Sequence, residues 1–238
     1  MNNFDLVIVG AGSAGCIVAN QIISNTNLRV LLIEAGPSDN SPVIKVPLGY
    51  GMTFYHKKMN WNFYSEIQKN LNNREIYYPR GKVVGGSGSI NAMIYARGLS
   101  SDFENWHLSK DWSWENIKAT YDQIEFSIND KINILPSNKI PVNDVSKKHH
   151  PILRNFFDAA NDFKFNLNKQ LKTSLENQVG NYNVNIFNGF RTSSSKVFLK
   201  PIIKHPNLTI FTKTEVLKLN YENNKIISLK IKHKNKII

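Results

Sequence analysis

Three glycines in the segment Gly10-Ala11-Gly12-Ser13-Ala14-Gly15 stand at G-x-G-x-x-G spacing, directly after the apolar run Phe4-Asp5-Leu6-Val7-Ile8-Val9. Between a strand and a helix, that spacing suits a dinucleotide. Gly10 permits the tight turn, Gly12 lets a diphosphate approach the backbone, and Gly15 lets helix and sheet pack closely. The helix begins at Ser13 and Ala14, and its unpaired N–H groups and positive dipole end would face the phosphates. Glu34, followed by Ala35, ends the next apolar run about 20 residues on, where an acidic residue hydrogen-bonds the ribose hydroxyls and disfavours a 2′-phosphate. The chemistry expected is dinucleotide binding without NADP.

A second glycine-rich stretch, Gly85-Gly86-Ser87-Gly88-Ser89, could lay its backbone against a planar ring or a phosphate, or be an ordinary small-residue turn. It is no P-loop, because Gly81-Lys82 precedes the glycines instead of following them. Other reactive side chains are few. The one cysteine, Cys16, rules out an internal disulfide and reads as a small buried apolar group. The six histidines, His56, His107, His149, His150, His205 and His233, read as surface or packing residues. The cluster Lys147-Lys148-His149-His150 reads as a solvated loop, since adjacent histidines diverge and bind metals poorly alone. No metal site is expected.

The elements that must position these residues follow from periodicity. Residues 4–9 and 28–33 read as buried strands, and residues 13–24 as the helix between them, with Ala14, Ile17, Val18, Gln21 and Ile22 at helical spacing. Residues 36–80 are irregular and rich in Pro, Gly and aromatics, which marks a functional rather than an idle stretch. Helices are expected over 113–126, with Ser113 as N-cap and Asn116 in the capping-box place, over 152–163, and over 193–203. A polar connection fills 128–150. Strands are expected from Val179 and over 208–211, 216–221 and 226–231.

With 238 residues, 41% of them hydrophobic and 20% charged, the chain has an ordinary globular composition. It has no apolar run long enough to span a bilayer and no leader-like N-terminus, so a cytoplasmic protein without a transmembrane segment is expected. The net charge of +12 raises nucleic acid as a partner, but the lysines are scattered and Lys, Asn and Ile are abundant together. That pattern reads as compositional bias, and no nucleic-acid partner is expected.

Residues 79–98, running from Pro79-Arg80-Gly81-Lys82 through Gly85-Gly86-Ser87-Gly88-Ser89-Ile90-Asn91-Ala92-Met93-Ile94 to Arg97-Gly98, resemble the first signature of the glucose–methanol–choline (GMC) oxidoreductases. That signature is written around G-K-x-x-G-G-S-S-x-I-N-x-M and ends in R-G; Gly88 stands where Ser is more usual. Similar stretches flank it: Asn60-Trp61-Asn62-Phe63 with Asn73-Arg74, and Asp102-Phe103-Glu104-Asn105-Trp106 with Trp112-Ser113-Trp114. Later come Gly189-Phe190-Arg191-Thr192-Ser193, Leu199-Lys200-Pro201 and His205-Pro206-Asn207-Leu208. Ser228 and Lys110-Asp111 depart from glycines usual in the family.

The resemblance implies FAD as the dinucleotide, an α/β fold with an incomplete Rossmann-type FAD-binding domain, and part of an α+β substrate-binding domain. The expected division is 1–126 for the N-terminal part of the FAD domain, 127–190 for the connection and start of the substrate-binding portion, and 191–238 for the return to the FAD domain. The implied FAD contacts are Val84, Gly86, Asn91, Ala92, Met93 and Ile94, with the backbone of Val216 at the adenine. Ile90 stands where some choline-oxidising members attach flavin through histidine, so non-covalent FAD is implied. The implied activity is hydride transfer from a primary alcohol, choline-like or other, in the choline and alcohol dehydrogenase-like branch. Family members usually exceed twice this length, and their catalytic histidine and its partner lie near the C-terminus. No catalytic residue is therefore expected here, and the chain reads as an N-terminal fragment. An inactive fragment, half of a split enzyme needing a C-terminal partner chain, and a hydroxynitrile lyase-like member stay open, as does the electron acceptor (oxygen, quinone or other).

Overall fold

The computed structural model describes residues 4–106, 109–128, 134–168, 178–233 and 236–238. His107 and residues 129–133 of the expected polar connection lie outside them. The chain divides into two compact units, Met1–Ala92 with Phe190–Ile238, and Met93–Gly189.

The first unit is built on a three-stranded parallel sheet of β1 (Leu6–Val9), β2 (Val30–Ile33) and β3 (Leu208–Phe211), with β2 in the centre. Leu6 and Leu208 both stand beside Val30, and Val9 and Phe211 both stand beside Ile33. All four residues of β2 are buried, which is why its sequence is an unbroken apolar run rather than an alternating one. Each such side chain contributes about 1.5–3 kcal/mol of hydrophobic stabilisation. Helix α1 (Ser13–Asn25) connects β1 to β2. Its buried face is Cys16, Ala19, Asn20 and Ile23, with Cys16 buried as expected, while Val18, one of the residues at helical spacing, is 44% exposed. Small side chains decide the rotation, because a Cβ at Gly15 would sit 2.0 Å from the carbonyl oxygen of Gly10. Asn20 is drawn inward by a 2.8 Å bond from its Nδ2 to the carbonyl of Phe198.

The expected helix over 193–203 is a wide π-type turn, Ser195–Leu199, followed by the short helix Lys200–Ile202. Val197, Phe198 and Leu199 are buried there. After β3 comes an antiparallel hairpin of β4 (Thr214–Glu222) and β5 (Lys225–His233), longer at both ends than the alternation suggested. Asn223 and Asn224, both at positive φ, turn it. Residues 36–80 form four short helical turns, Pro42–Lys45, Pro47–Gly49, Tyr50–Thr53 and Lys69–Leu71, and a small hairpin pairing Phe63–Tyr64 with Tyr77–Tyr78. Asn60 organises this stretch from a buried position. Its Oδ1 accepts from the N–H groups of Asn62 and Arg80, and its Nδ2 donates to Phe54.

The second unit carries helices α2 (Trp114–Ile124) and α3 (Leu153–Asp162), and a strand pair of Ile94–Tyr95 with Asn183–Val184. Ser113 occupies the N-cap of α2 without a side-chain cap bond, and Asn116 donates instead to the carbonyl of Lys110. The first unit closes at Ala92, whereas the sequence division placed that boundary at 126. Arg97 supplies the reason. Its guanidinium bonds Glu125 at 2.5 and 2.6 Å and Asp122 at 2.7 Å, and Tyr95 donates to the same Glu125, so residues 94–97 pack with the end of α2. Hydrogen bonding to Glu125 raises the Arg97 pKa, and burial raises that of Tyr95. Among the described residues, no helix is long and apolar enough to cross a membrane.

The Arg97 and Glu125 side chains are only 10% and 12% exposed. Arg97→Met strands a buried carboxylate and is expected to cost about 3 kcal/mol, read as a lower urea midpoint. An unchanged midpoint would show that this brace is dispensable.

Candidate functional site

The two glycine segments, 71 residues apart between Gly15 and Gly86, meet backbone to backbone. A Cβ on Gly86 would lie 2.8 Å from the Cα of Gly12, and one on Gly88 would lie 2.9 Å from Ser13 Oγ. Gly85 donates its N–H to the carbonyl of Ala11 at 2.7 Å. Gly10, Gly85 and Gly86 have φ of 96°, 86° and 57°, a region that side chains disfavour. The Gly86–Ser89 segment is a tight 3₁₀ turn pinned at its ends by Ser87 and Ser89. Ser87 Oγ accepts from Gly81 N–H, and Ser89 Oγ donates to the carbonyl of Val84. Of the readings left open for this stretch, the structure shows an ordered turn set against the first motif.

The helix start beside this contact is open. Ser13 and Ala14 are exposed, Gly12 and Gly15 are half-buried, no side chain caps α1, and its first turn holds no acid. Its N–H groups and dipole therefore present uncompensated positive charge. Glu34 lies at the end of β2, 6% exposed. Its Oε2 accepts from Ala11 N–H and its Oε1 from Gly36 N–H, each at 2.9 Å. A carboxylate has about four acceptor sites, so two remain. Burial pushes the Glu34 carboxyl above its usual range, offset in part by these N–H bonds and by the charge of Lys82. Ala35 beside it is half-buried, and a Cβ on Gly36 would overlap Lys82.

Val84 is buried and donates its N–H to the carbonyl of Pro37. Asn91 and Ala92 end the first unit. Val216 is half-buried in β4 opposite Ile231. Met93 and Ile94 begin the second unit, Met93 buried with φ of 61° and Ile94 56% exposed. A bulky residue in the left-handed region is uncommon and marks local strain.

Two groups missing from the sequence-derived site emerge here. Ala11, between the glycines named for chemistry, offers both its peptide groups to the assembly. Arg191, 4% exposed, donates to the carbonyls of Ile44, Gly88 and Asn91, and to Asn91 Oδ1 at 2.7 Å. It thus clamps the end of the second glycine segment. Burial lowers its pKa to about 10. Only its place in the Gly-Phe-Arg-Thr-Ser stretch hinted at a role.

The remaining candidates are structural. Cys16 is fully buried, donates to Ala11 at 3.3 Å, and has its pKa pushed up to about 12 by burial. His56, His150 and His205 each accept, through Nδ1, the N–H two residues ahead, and His233 Nδ1 meets Thr214 Oγ1 at 2.5 Å. His149 lies exposed after the turn Ser146–Lys148. Among the described residues, no group of three or more His, Cys, Asp or Glu could hold a metal ion.

A family model described as GMC oxidoreductase matches residues 4–238. The chain is 37% identical to an alcohol dehydrogenase (acceptor) of Pseudomonas putida, covering 98% of itself and 43% of that protein. It is 34% identical to an oxygen-dependent choline dehydrogenase of Rhizobium etli, with 87% and 38% covered. Among solved structures, a pyridoxine 4-oxidase from Mesorbium loti superposes with a TM-score of 0.89 at 28% identity, over 99% of this chain and 47% of that one. The chain thus spans less than half the length of these relatives.

Two outcomes test the geometry. Gly86→Ala places a Cβ against Gly12 at positive φ and is expected to destabilise by about 1–3 kcal/mol in denaturant unfolding. Glu34 has a native pKa above its unfolded value, so the native state binds more protons than the unfolded state just above pH ~4.3. Its contribution is fully present below that pH and is lost as pH rises through the native value. Thermal unfolding across this window should show a falling stability that Glu34→Gln flattens.

Proposed function

The chain belongs to the GMC oxidoreductase family, and on that premise we propose that it is the FAD-binding part of a dehydrogenase that oxidises a primary alcohol, choline-like or other. FAD is the cofactor of this family. The observation that carries the reading is the close contact of Gly86 with Gly12 beside the uncapped start of α1, an approach that a Cβ on Gly86 would block.

On this reading Gly10, Gly12, Ser13, Ala14 and Gly15 hold the diphosphate through backbone N–H groups and the helix dipole. Glu34, next to Ala35, uses its two remaining acceptor sites for the sugar hydroxyls. Val84, Gly86, Asn91, Ala92, Met93 and Ile94 border the flavin, and the Val216 backbone borders the adenine. Arg191 keeps Asn91 in place. The chemistry a bound FAD supplies is acceptance of a hydride. Attachment is non-covalent, because Ile90 is an apolar side chain 2% exposed. Residues 127–190 begin the substrate-binding portion.

No described histidine is assigned as the base that takes the alcohol proton, since four of the five hold turns or strand ends and His149 lies exposed. We assign that base to sequence beyond these 238 residues, as the relatives' greater length supports. A second reading, half of a split enzyme completed by a partner chain, is favoured by β1. It pairs only with β2 among the described residues, and Val9 is 57% exposed. A cytoplasmic location suits a chain whose only thiol is buried and unpaired.

The purified chain is expected to carry oxidised-flavin absorbance, released into solution on acid precipitation, and to lose it in Gly86→Ala and Glu34→Ala. Bleaching by an alcohol without oxygen should require the added C-terminal half. Folded protein that stays colourless with excess FAD sinks the proposal.

A further inference from the structure

A cavity of about 910 Å³ opens in the first unit between the turn Pro42–Lys45, the segment Ser195–Ile202 and one face of β3. Its volume is that of a small-molecule pocket. Ile44, Leu199, Ile203 and Ile210 give it apolar walls. Of the residues assigned above to the dinucleotide, only Val84 touches it; the first glycine motif, Glu34 and Gly86 do not.

Its charged lining is one-sided. Lys45, Lys196 and Lys200 all border it, against the single carboxylate of Asp39. Among the described residues none of these four lies within ion-pair distance of an opposite charge. Lys45 donates instead to the side chain of Asn40. Burial, and then the charges of Lys200 and Lys45, lower the pKa of Lys196. Arg191 adds a buried guanidinium to the same lining, its hydrogen bonds spent on carbonyl and amide oxygens. An apolar hollow bordered by cations suits an anion with an apolar body. Three ammonium groups and one guanidinium against one carboxylate leave three positive charges, enough to answer a phosphate monoester, which carries about −1.5 to −2 at neutral pH. Lysine also suits phosphate as a point charge.

We propose that this cavity binds a phosphate monoester with an apolar body, its phosphate held by Lys45, Lys196 and Lys200 and its apolar part lying along Ile44, Leu199 and Ile210. It is a second site, separate from the dinucleotide cradle, and does not depend on the chain's being an alcohol dehydrogenase.

Calorimetric titration of the whole 238-residue chain with octyl phosphate, inorganic phosphate and octanol tests it. Octyl phosphate is expected to bind at least about tenfold more tightly than either of the others, because only it uses both walls and cations. The triple variant K45Q/K196Q/K200Q should weaken it at least about tenfold. Lys225→Gln, an exposed lysine on β5 outside the lining, should leave it unchanged. Ile203→Trp keeps every charge, fills the hollow, and should weaken octyl phosphate while sparing inorganic phosphate. Octyl phosphate affinity that survives the triple variant overturns the proposal, as does failure of octyl phosphate to bind. Competition by FAD would also overturn it, by making the cavity part of the dinucleotide site.

Discussion

The peptide groups of Ala11 hold three distant pieces of the chain to one point. Its N–H goes to the carboxylate of Glu34, and its carbonyl accepts from Gly85 and from Cys16. The end of the first strand, the end of the second and the later glycine turn are thereby brought into one place. The carboxylate is buried, so its charge is tolerated only because backbone N–H groups from Ala11 and Gly36 answer it. The acid proposed for the sugar is thus already part of the frame.

Close approach follows from that junction. Gly86 can approach Gly12 because it has no side chain, and Gly15 lies against Gly10 for the same reason. The absence of atoms is the feature that a bulky cofactor can use. Behind the turn, Arg191 ties Ile44, Gly88 and Asn91 together from a site with little access to water, where its hydrogen bonds to oxygen atoms stand in for hydration. In the second unit Arg97 does comparable work with Glu125 and Asp122, this time through charge pairing. One cation is satisfied by neutral oxygens and the other by carboxylates, a difference reflected in the opposite directions of their pKa shifts.

The family likeness covers nearly the whole of this chain but less than half the length of the relatives it matches. Among the described residues β1 pairs only with β2. Scattered along the sequence, the lysines look like genomic bias, yet folding gathers Lys45, Lys196 and Lys200 around one hollow.

Sequence alone determined what depends on neighbours in the chain. The first strand–helix–strand unit, the glycine motif and the acid that follows it could be read directly, because strand and helix leave different hydrophobic periods and a turn at positive φ calls for glycine. The hairpin after β3 was legible for the same reason. Tertiary structure decided what depends on partners far apart. The face that α1 buries is set by Gly15 and the bond from Asn20 to Phe198, neither of which a hydropathy pattern records. The π-type turn over 195–199 and the early end of the first unit came from packing around Phe198 and Arg97. Ala11 and Arg191 were invisible as site residues because an alanine has no chemistry of its own and an arginine's role lies in which carbonyls surround it. Spacing can say where a diphosphate would rest, but only folded coordinates show which distant peptide groups hold that place open.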